Sequence, residues 1–257
     1  MSYFDVFILG LLQGLTEFLP VSSSGHLVII GSLLGVNKPG GTFEIVLHLG
    51  SLLAIFIFFR KQIFQLIKSL FDSSMKKERK IIGFIVIGTI PAVVVYFFFK
   101  DFFDQAFTNP LMAASMLFVT GLILLSTRIK HDGTKELTLM SAIIIGISQA
   151  FAIIPGISRS GTTISTGMLL GLKPAEIAEY SFLLVIPAIL GGVVLKIDEL
   201  QQIDSSLMWH YGFGLLISFV ASLFAVYAVL ELIKKGKFEY FAYYCFAAGA
   251  FGLYLFM

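Results

Sequence analysis

One cysteine, Cys245, stands alone among 257 residues, so the chain can build neither an internal disulfide nor a thiolate metal cluster. Charge is scarce as well: only 13% of residues are Asp, Glu, Lys or Arg, and the net charge is +2. The basic residues are scattered through short segments with no aromatic-interleaved face, which excludes nucleic acid as a partner. The N-terminus, Met1-Ser2-Tyr3-Phe4-Asp5, lacks a basic n-region and a small-residue cleavage site, so no cleaved signal peptide is expected. What the chain has in quantity is apolar side chain, 57% of the total, with a mean hydropathy of +0.92. That balance predicts an all-α integral membrane protein, a single membrane domain over 1–257 with no soluble domain.

A spanning helix needs about 20 apolar residues to cross a hydrocarbon core of about 30 Å. Six runs meet that need: about 43–59, 81–99, 110–127, 175–195, 209–233 and 238–257. Two further apolar regions, about 4–35 and 138–172, break at Pro20-Val21-Ser22-Ser23-Ser24-Gly25 and at Pro155-Gly156-Ile157-Ser158-Arg159-Ser160-Gly161. Their short second arms rise only about 14 to 17 Å as helix, half a membrane, which predicts two re-entrant helix-loop-helix hairpins. Irregular backbone at that depth needs protein or water around it, so both loops are expected in one polar cavity.

Fourteen Lys and Arg fall on one side of the predicted spans: seven in the 60–80 segment, three in 128–137, Lys173, and Lys234, Lys235 and Lys237. Lys38, Lys100 and Lys196 face the other side, and Arg159 lies in the second hairpin. The excess marks the cytoplasmic face and places both termini opposite it. A shift of 136 positions superposes Gly10, Gln13, Ser22, Ser24 and Gly25 on Gly146, Gln149, Ser158, Ser160 and Gly161. Each half, about 1–130 and 131–257, is then a hairpin plus three spans. Three crossings invert the second copy, giving an inverted-topology repeat with its site between the hairpins.

Gln13 and Glu17 share a helix face just before the Pro20 break, and an intramembrane carboxylate points to function. Ser22, Ser23, Ser24 and His26 open one short helix; Ser158, Arg159, Ser160, Thr162 and Thr163 open the other, each with free N–H groups and a positive dipole end. An arginine at membrane depth calls for an anionic partner, either Glu17 or a phosphate. Two helix N-termini, a guanidinium and several hydroxyls make an anion cage fitted to a phosphate or diphosphate. The histidine and carboxylate beside it point to phosphoryl transfer. His48 lies a helical turn from Glu44 and is a candidate supporting residue; His131 and His210 are expected at solvated boundaries. The Phe-rich runs Ile55–Phe59 and Phe97–Phe99 are expected to face lipid or pack between helices.

The stretches Gln13–His26 and Pro155–Thr163 closely resemble the two signature regions of the undecaprenyl-diphosphate phosphatase family linked to bacitracin resistance, and the likeness extends along the chain. That resemblance implies hydrolysis of a C55 polyprenyl diphosphate to the monophosphate and inorganic phosphate, recycling the lipid carrier of cell-wall polymers. It implies a multi-pass protein of the bacterial inner membrane whose site opens away from the cytoplasm. Carried over by position, Glu17 is the essential carboxylate and the ligand of a divalent cation, Mg²⁺ or Ca²⁺; His26 is the catalytic histidine; and Ser23 beside it is a candidate nucleophile. Arg159 grips the diphosphate, with Gln13, Ser22, Ser24, Ser158, Ser160 and Thr163 around it. The family's acidic motif allows Glu or Gln at its first position, and Gln13 here weakens two-carboxylate chelation. Whether Ser23, His26 or a water attacks stays open, as does a homodimer. The different class of reading is a secondary transporter or lipid flippase using the same cavity. The absence of an Arg-Pro dipeptide with a downstream Arg, His and Asp motif excludes the acid-phosphatase-like lipid phosphatases.

Overall fold

The computed structural model describes residues 1–36, 41–129 and 133–257; Lys38, Lys130 and His131 lie outside the described residues. Among the described residues there are thirteen α-helices and no strands. The first break separates α1 (Tyr3–Thr16) from α2 (Ser23–Leu33). Then come α3 (Thr42–Phe58), α4 (Arg60–Phe71), α5 (Lys76–Phe98), α6 (Lys100–Ala106) and α7 (Pro110–Ser126). The second break separates α8 (Leu139–Phe151) from α9 (Arg159–Leu169), followed by α10 (Pro174–Leu195), α11 (Ile197–Gln201), α12 (Met208–Lys234) and α13 (Phe241–Phe256). By length and composition α5, α10 and α12 can each cross a membrane; two more crossings follow if the bent pairs α3–α4 and α6–α7 each make one.

The helices start where side chains can satisfy free N–H groups. Ser2 and Asp5 form a capping box at α1, and Thr138 and Ser141, 136 positions on, form another at α8. Asn109 caps α7, and Pro110 fills its first position, where a missing N–H has no cost. With 14 and 13 residues, α1 and α8 rise only about 20 Å before they break.

Each broken hairpin packs against the other half of the chain, α1 along α12 and α8 along α5. A Cβ at Gly10 would lie 2.9 Å from the Gly214 carbonyl oxygen, and one at Gly146 would lie 2.7 Å from that of Gly88. Such backbone approach is how helices associate where no hydrophobic effect drives them together. The breaks are held alike: Thr120 Oγ1 of α7 donates to the Gly156 carbonyl at 2.7 Å, and Cys245 Sγ of α13 to the Pro20 carbonyl at 3.8 Å. Phe182 sits at the centre of the core, edge-on to Phe18 at 5.4 Å and 6.2 Å from Phe59.

Two local expectations change, and a third is met in both of its alternatives. The 60–80 segment, read as a loop from its charge, contains α4, turned 81° from α3. Leu66 and Ser69 of α4 are buried while Phe64, Ile67, Leu70 and Phe71 are exposed beside Lys61 and Lys68, the pattern of a helix lying in the membrane interface. The run Ile55–Phe59 divides by helical periodicity, Ile55 and Phe59 entering the core and Phe56 and Ile57 facing outward. His210 is half-buried and stacked on Tyr3 at 4.1 Å, because α12 begins alongside the first turn of α1.

Candidate active site

The two breaks touch. A Cβ on Gly25 would lie 2.8 Å from Gly156 Cα, and one on Gly161 would lie 3.3 Å from Pro20 Cβ, so only glycine lets the elbows close on each other. Ser22 occupies a left-handed conformation at φ +67°, uncommon for a side chain other than glycine, and caps α2 by accepting from Gly25 N–H at 3.3 Å. Ser158 caps α9 by accepting from Gly161 N–H at 3.0 Å. Both caps pair with the second serine onward, Ser22 with Ser24 and Ser158 with Ser160, each at 3.3 Å. The residues matched by the 136-residue shift thus perform matched work.

Glu17 sits where α1 ends, buried in the protein, and both carboxylate oxygens are engaged. Arg159 Nη2 donates to Oε1 at 2.7 Å. Ser23 Oγ donates to Oε2 at 2.6 Å, Gln13 Nε2 donates to the same oxygen at 3.0 Å, and His48 Nε2 lies 3.5 Å from it. Arg159 also donates from Nη1 to the Ser181 carbonyl at 3.1 Å. Two of the guanidinium's five N–H groups are therefore spent, and three remain for a ligand. Thr163 Oγ1 lies 2.7 Å from Ser181 Oγ and donates to the Arg159 carbonyl at 2.9 Å, tying the start of α9 to α10.

His26 faces other partners. Nδ1 lies 2.8 Å from the Ser22 carbonyl, which only accepts, so Nδ1 carries the proton. In the neutral ring Nε2 then accepts from the Tyr244 hydroxyl at 2.8 Å, and the two rings stack at 5.6 Å. The Ser23 hydroxyl thus meets the Glu17 carboxylate, while His26 anchors the elbow to α13.

A second polar chain runs away from Glu17 into the core. Gln13 Nε2 also reaches Ser51 Oγ at 3.4 Å; Ser51 lies 3.2 Å from Ser218 and accepts from Ser222 at 3.0 Å; and Ser218 donates to the Leu47 carbonyl at 2.7 Å. Gln13 Oε1 is buried with no hydrogen-bond partner among the described residues. An orphaned hard oxygen beside a carboxylate fits a hard divalent cation, although no group of three acidic, histidine or cysteine ligands occurs among the described residues. Glu17 and Gln13 would supply two of its oxygens, and the rest must come from substrate phosphate or water.

The structure therefore gathers Gln13, Glu17, Ser23 and Arg159 at one point, puts Ser22, Ser24, Ser158 and Ser160 in the two elbows, and sets Thr163 behind Arg159. Sequence reasoning did not reach Ser51, Ser181 or Tyr244. Ser51 had a legible signal, since Glu44, His48 and Ser51 are polar residues at helical spacing in an apolar run; Tyr244, one aromatic among many in α13, had none.

The family described as bacitracin resistance protein BacA matches residues 6–251 of the chain. A protein of Rhodopirellula baltica named undecaprenyl-diphosphatase is 42% identical, over 95% of this chain and 94% of its own length. Proteins of the same name from Bacteroides thetaiotaomicron and Salinibacter ruber are 40% and 36% identical, over 97% and 99% of this chain and 97% and 100% of their own lengths. With a match that covers residues 6–251 and so both elbows, the chain belongs to the BacA bacitracin resistance family.

Proposed function

We propose that the chain is a membrane phosphatase that hydrolyses undecaprenyl diphosphate to undecaprenyl phosphate and inorganic phosphate, recycling the cell-wall lipid carrier and thereby conferring bacitracin resistance. The observation that carries the chemistry is the Ser23–Glu17–Arg159 constellation, a hydroxyl 2.6 Å from a carboxylate that a guanidinium holds from its other side. Arg159 binds the diphosphate through its remaining N–H groups, helped by the α2 and α9 N-termini and the elbow serines. Ser23 Oγ attacks the terminal phosphorus as Glu17 Oε2 takes its proton. The P–O bond to the bridging oxygen breaks, and the lipid monophosphate leaves with the proton that Glu17 had taken, which restores the carboxylate. Water, deprotonated in turn by Glu17, then attacks that phosphorus; the P–O bond to Ser23 Oγ breaks, Glu17 returns the proton to Oγ, and inorganic phosphate leaves. Glu17 and Gln13 Oε1 would hold a divalent cation, Mg²⁺ or Ca²⁺, and it would supply charge neutralisation at the phosphate. His26 positions Ser23 by fixing the Ser22 carbonyl.

The finer architecture belongs to the same reading: one membrane domain of six spans and two re-entrant hairpins, its halves an inverted repeat. Support comes from the equivalent capping boxes, the Gly10–Gly214 and Gly146–Gly88 approaches, and the matched holds on the Pro20 and Gly156 carbonyls. The site opens away from the cytoplasm. A cavity of about 430 Å³ bounded by Leu9, Leu27, Gly31, Glu44, Leu47 and Tyr211 supports this, since it lies between the two hairpin arms and the N-terminal ends of α3 and α12.

The test is phosphate release from a C55 or C15 prenyl diphosphate by detergent-purified protein, wild type against Ser23→Ala, Glu17→Ala and Arg159→Ala. Loss of release in folded, monodisperse variants is expected. A wild type inactive with Mg²⁺ and with Ca²⁺ would favour the transporter or flippase.

A further inference from the structure

Beyond the site, the broken hairpin leaves a space that something must fill. Gly10 meets Gly214 and Gly14 meets Ser218, so α1 and α12 run parallel and in step. Helix α1 stops at Thr16, level with about residue 220, whereas α12 continues to Lys234. Those further residues rise about 20 Å without a continuation of α1 beside them. A cavity of about 610 Å³ lies there. Its walls are the last turn of α1 and the elbow (Leu12, Leu15, Leu19), with Leu232 and Phe241 opposite. Lys237 and Tyr240 lie at its outer end, beside exposed Lys234 and Lys235, and Tyr244 forms part of its inner wall while bonding His26.

We propose that this groove binds one acyl chain of an anionic phospholipid, whose head group is held by Lys237 at the lysine-rich face. The apolar walls and depth match a hydrocarbon chain, and the volume falls in the usual range for ligand sites of about 300 to 1,000 Å³. The charge matches too, because lysines clustered just outside a spanning helix attract anionic lipid. An occupied groove presses Tyr244 toward His26 and so supports the elbow that carries Ser23. The inference rests on the membrane placement of the chain, not on the phosphatase chemistry.

The full chain is reconstituted in phosphatidylcholine vesicles containing phosphatidylglycerol with a diazirine near the end of one acyl chain. Labelled peptides are mapped after illumination, and phosphate release is measured on the same vesicles as a separate readout of the reaction. Labels are expected in Leu12–Val21 and Leu232–Tyr244. Lys237→Gln, an exposed change, should lower them about five-fold, the worth of one juxtamembrane lysine. Leu232→Trp, which fills the groove, should remove them while outward residues of α5 stay labelled. The same diazirine chain on phosphatidylcholine should label the groove weakly. Equal labelling by the two lipids, or labelling unchanged in Lys237→Gln, overturns the proposal. So does displacement of the label by farnesyl diphosphate, which would assign the groove to the substrate's own tail.

Discussion

Replacing Glu17 by glutamine or by alanine separates the chemical work of the carboxylate from its structural work. In Glu17→Gln the side chain keeps its shape. Its carbonyl can still accept from Arg159, and its new NH₂ group can donate to Ser23 Oγ. Gln13 can turn its amide so that Oε1, now without a partner, accepts the second new N–H. The cost is the charge assistance of the contacts to Arg159, about 1.5 to 3 kcal/mol. Glu17→Ala instead leaves the largely buried guanidinium without its carboxylate, at about 3 to 5 kcal/mol. Both variants lose the base that accepts the Ser23 proton, so kcat should fall about 10²- to 10⁴-fold in each. Thermal unfolding in detergent should rank wild type above Glu17→Gln above Glu17→Ala, with the two variants nearly equal in phosphate release. Glu17→Gln working within a few-fold of wild type would remove Glu17 as the base.

Other perturbations test other parts of the molecule. Gln13→Glu puts a second carboxylate beside Glu17, and phosphate release should become more dependent on added Mg²⁺ or Ca²⁺; an unchanged titration refutes Gln13 as a cation neighbour. Gly14→Leu should destabilise by at least about 1 to 3 kcal/mol, because any side chain there meets the Ser218 carbonyl and Ala221, whereas Gly191→Ala, with open space around it, should leave the unfolding temperature near wild type. Tyr244→Phe removes the donor to His26 Nε2 and should cost about 1 to 3 kcal/mol with only a few-fold loss of phosphate release; His26→Ala, which also frees the Ser22 carbonyl, should lose far more. If the two variants prove equally active, His26 does not position Ser23.

Much of the molecule was legible in one dimension because its elements are local. Apolar runs, proline breaks, cap residues and the 136-residue repeat each depend on neighbours within a few turns, and α1, α2, α8 and α9 begin and end within a few residues of where those signals placed them. Helix α4 escaped because counting its charges hid the spacing of Phe64, Ile67 and Phe71. The sequence also determined which residues could carry the chemistry: a carboxylate, a guanidinium and hydroxyls at membrane depth are too costly to keep without use.

The tertiary structure decided who meets whom. Glu17 and Arg159, 142 positions apart, pair because the two elbows pack at Gly25–Gly156 and Pro20–Gly161, a contact between halves that no local pattern encodes. The same packing gave Ser23 to Glu17 and His26 to Tyr244, although His26 stands three residues from Ser23 in the chain. At the repeat positions of Glu17 and Ser23 stand Ile153 and Arg159, so each half holds only part of the site. The anion cage and its base exist where both hairpins end at one depth, because separate helix ends and charges become one site only when folding brings them within hydrogen-bond distance.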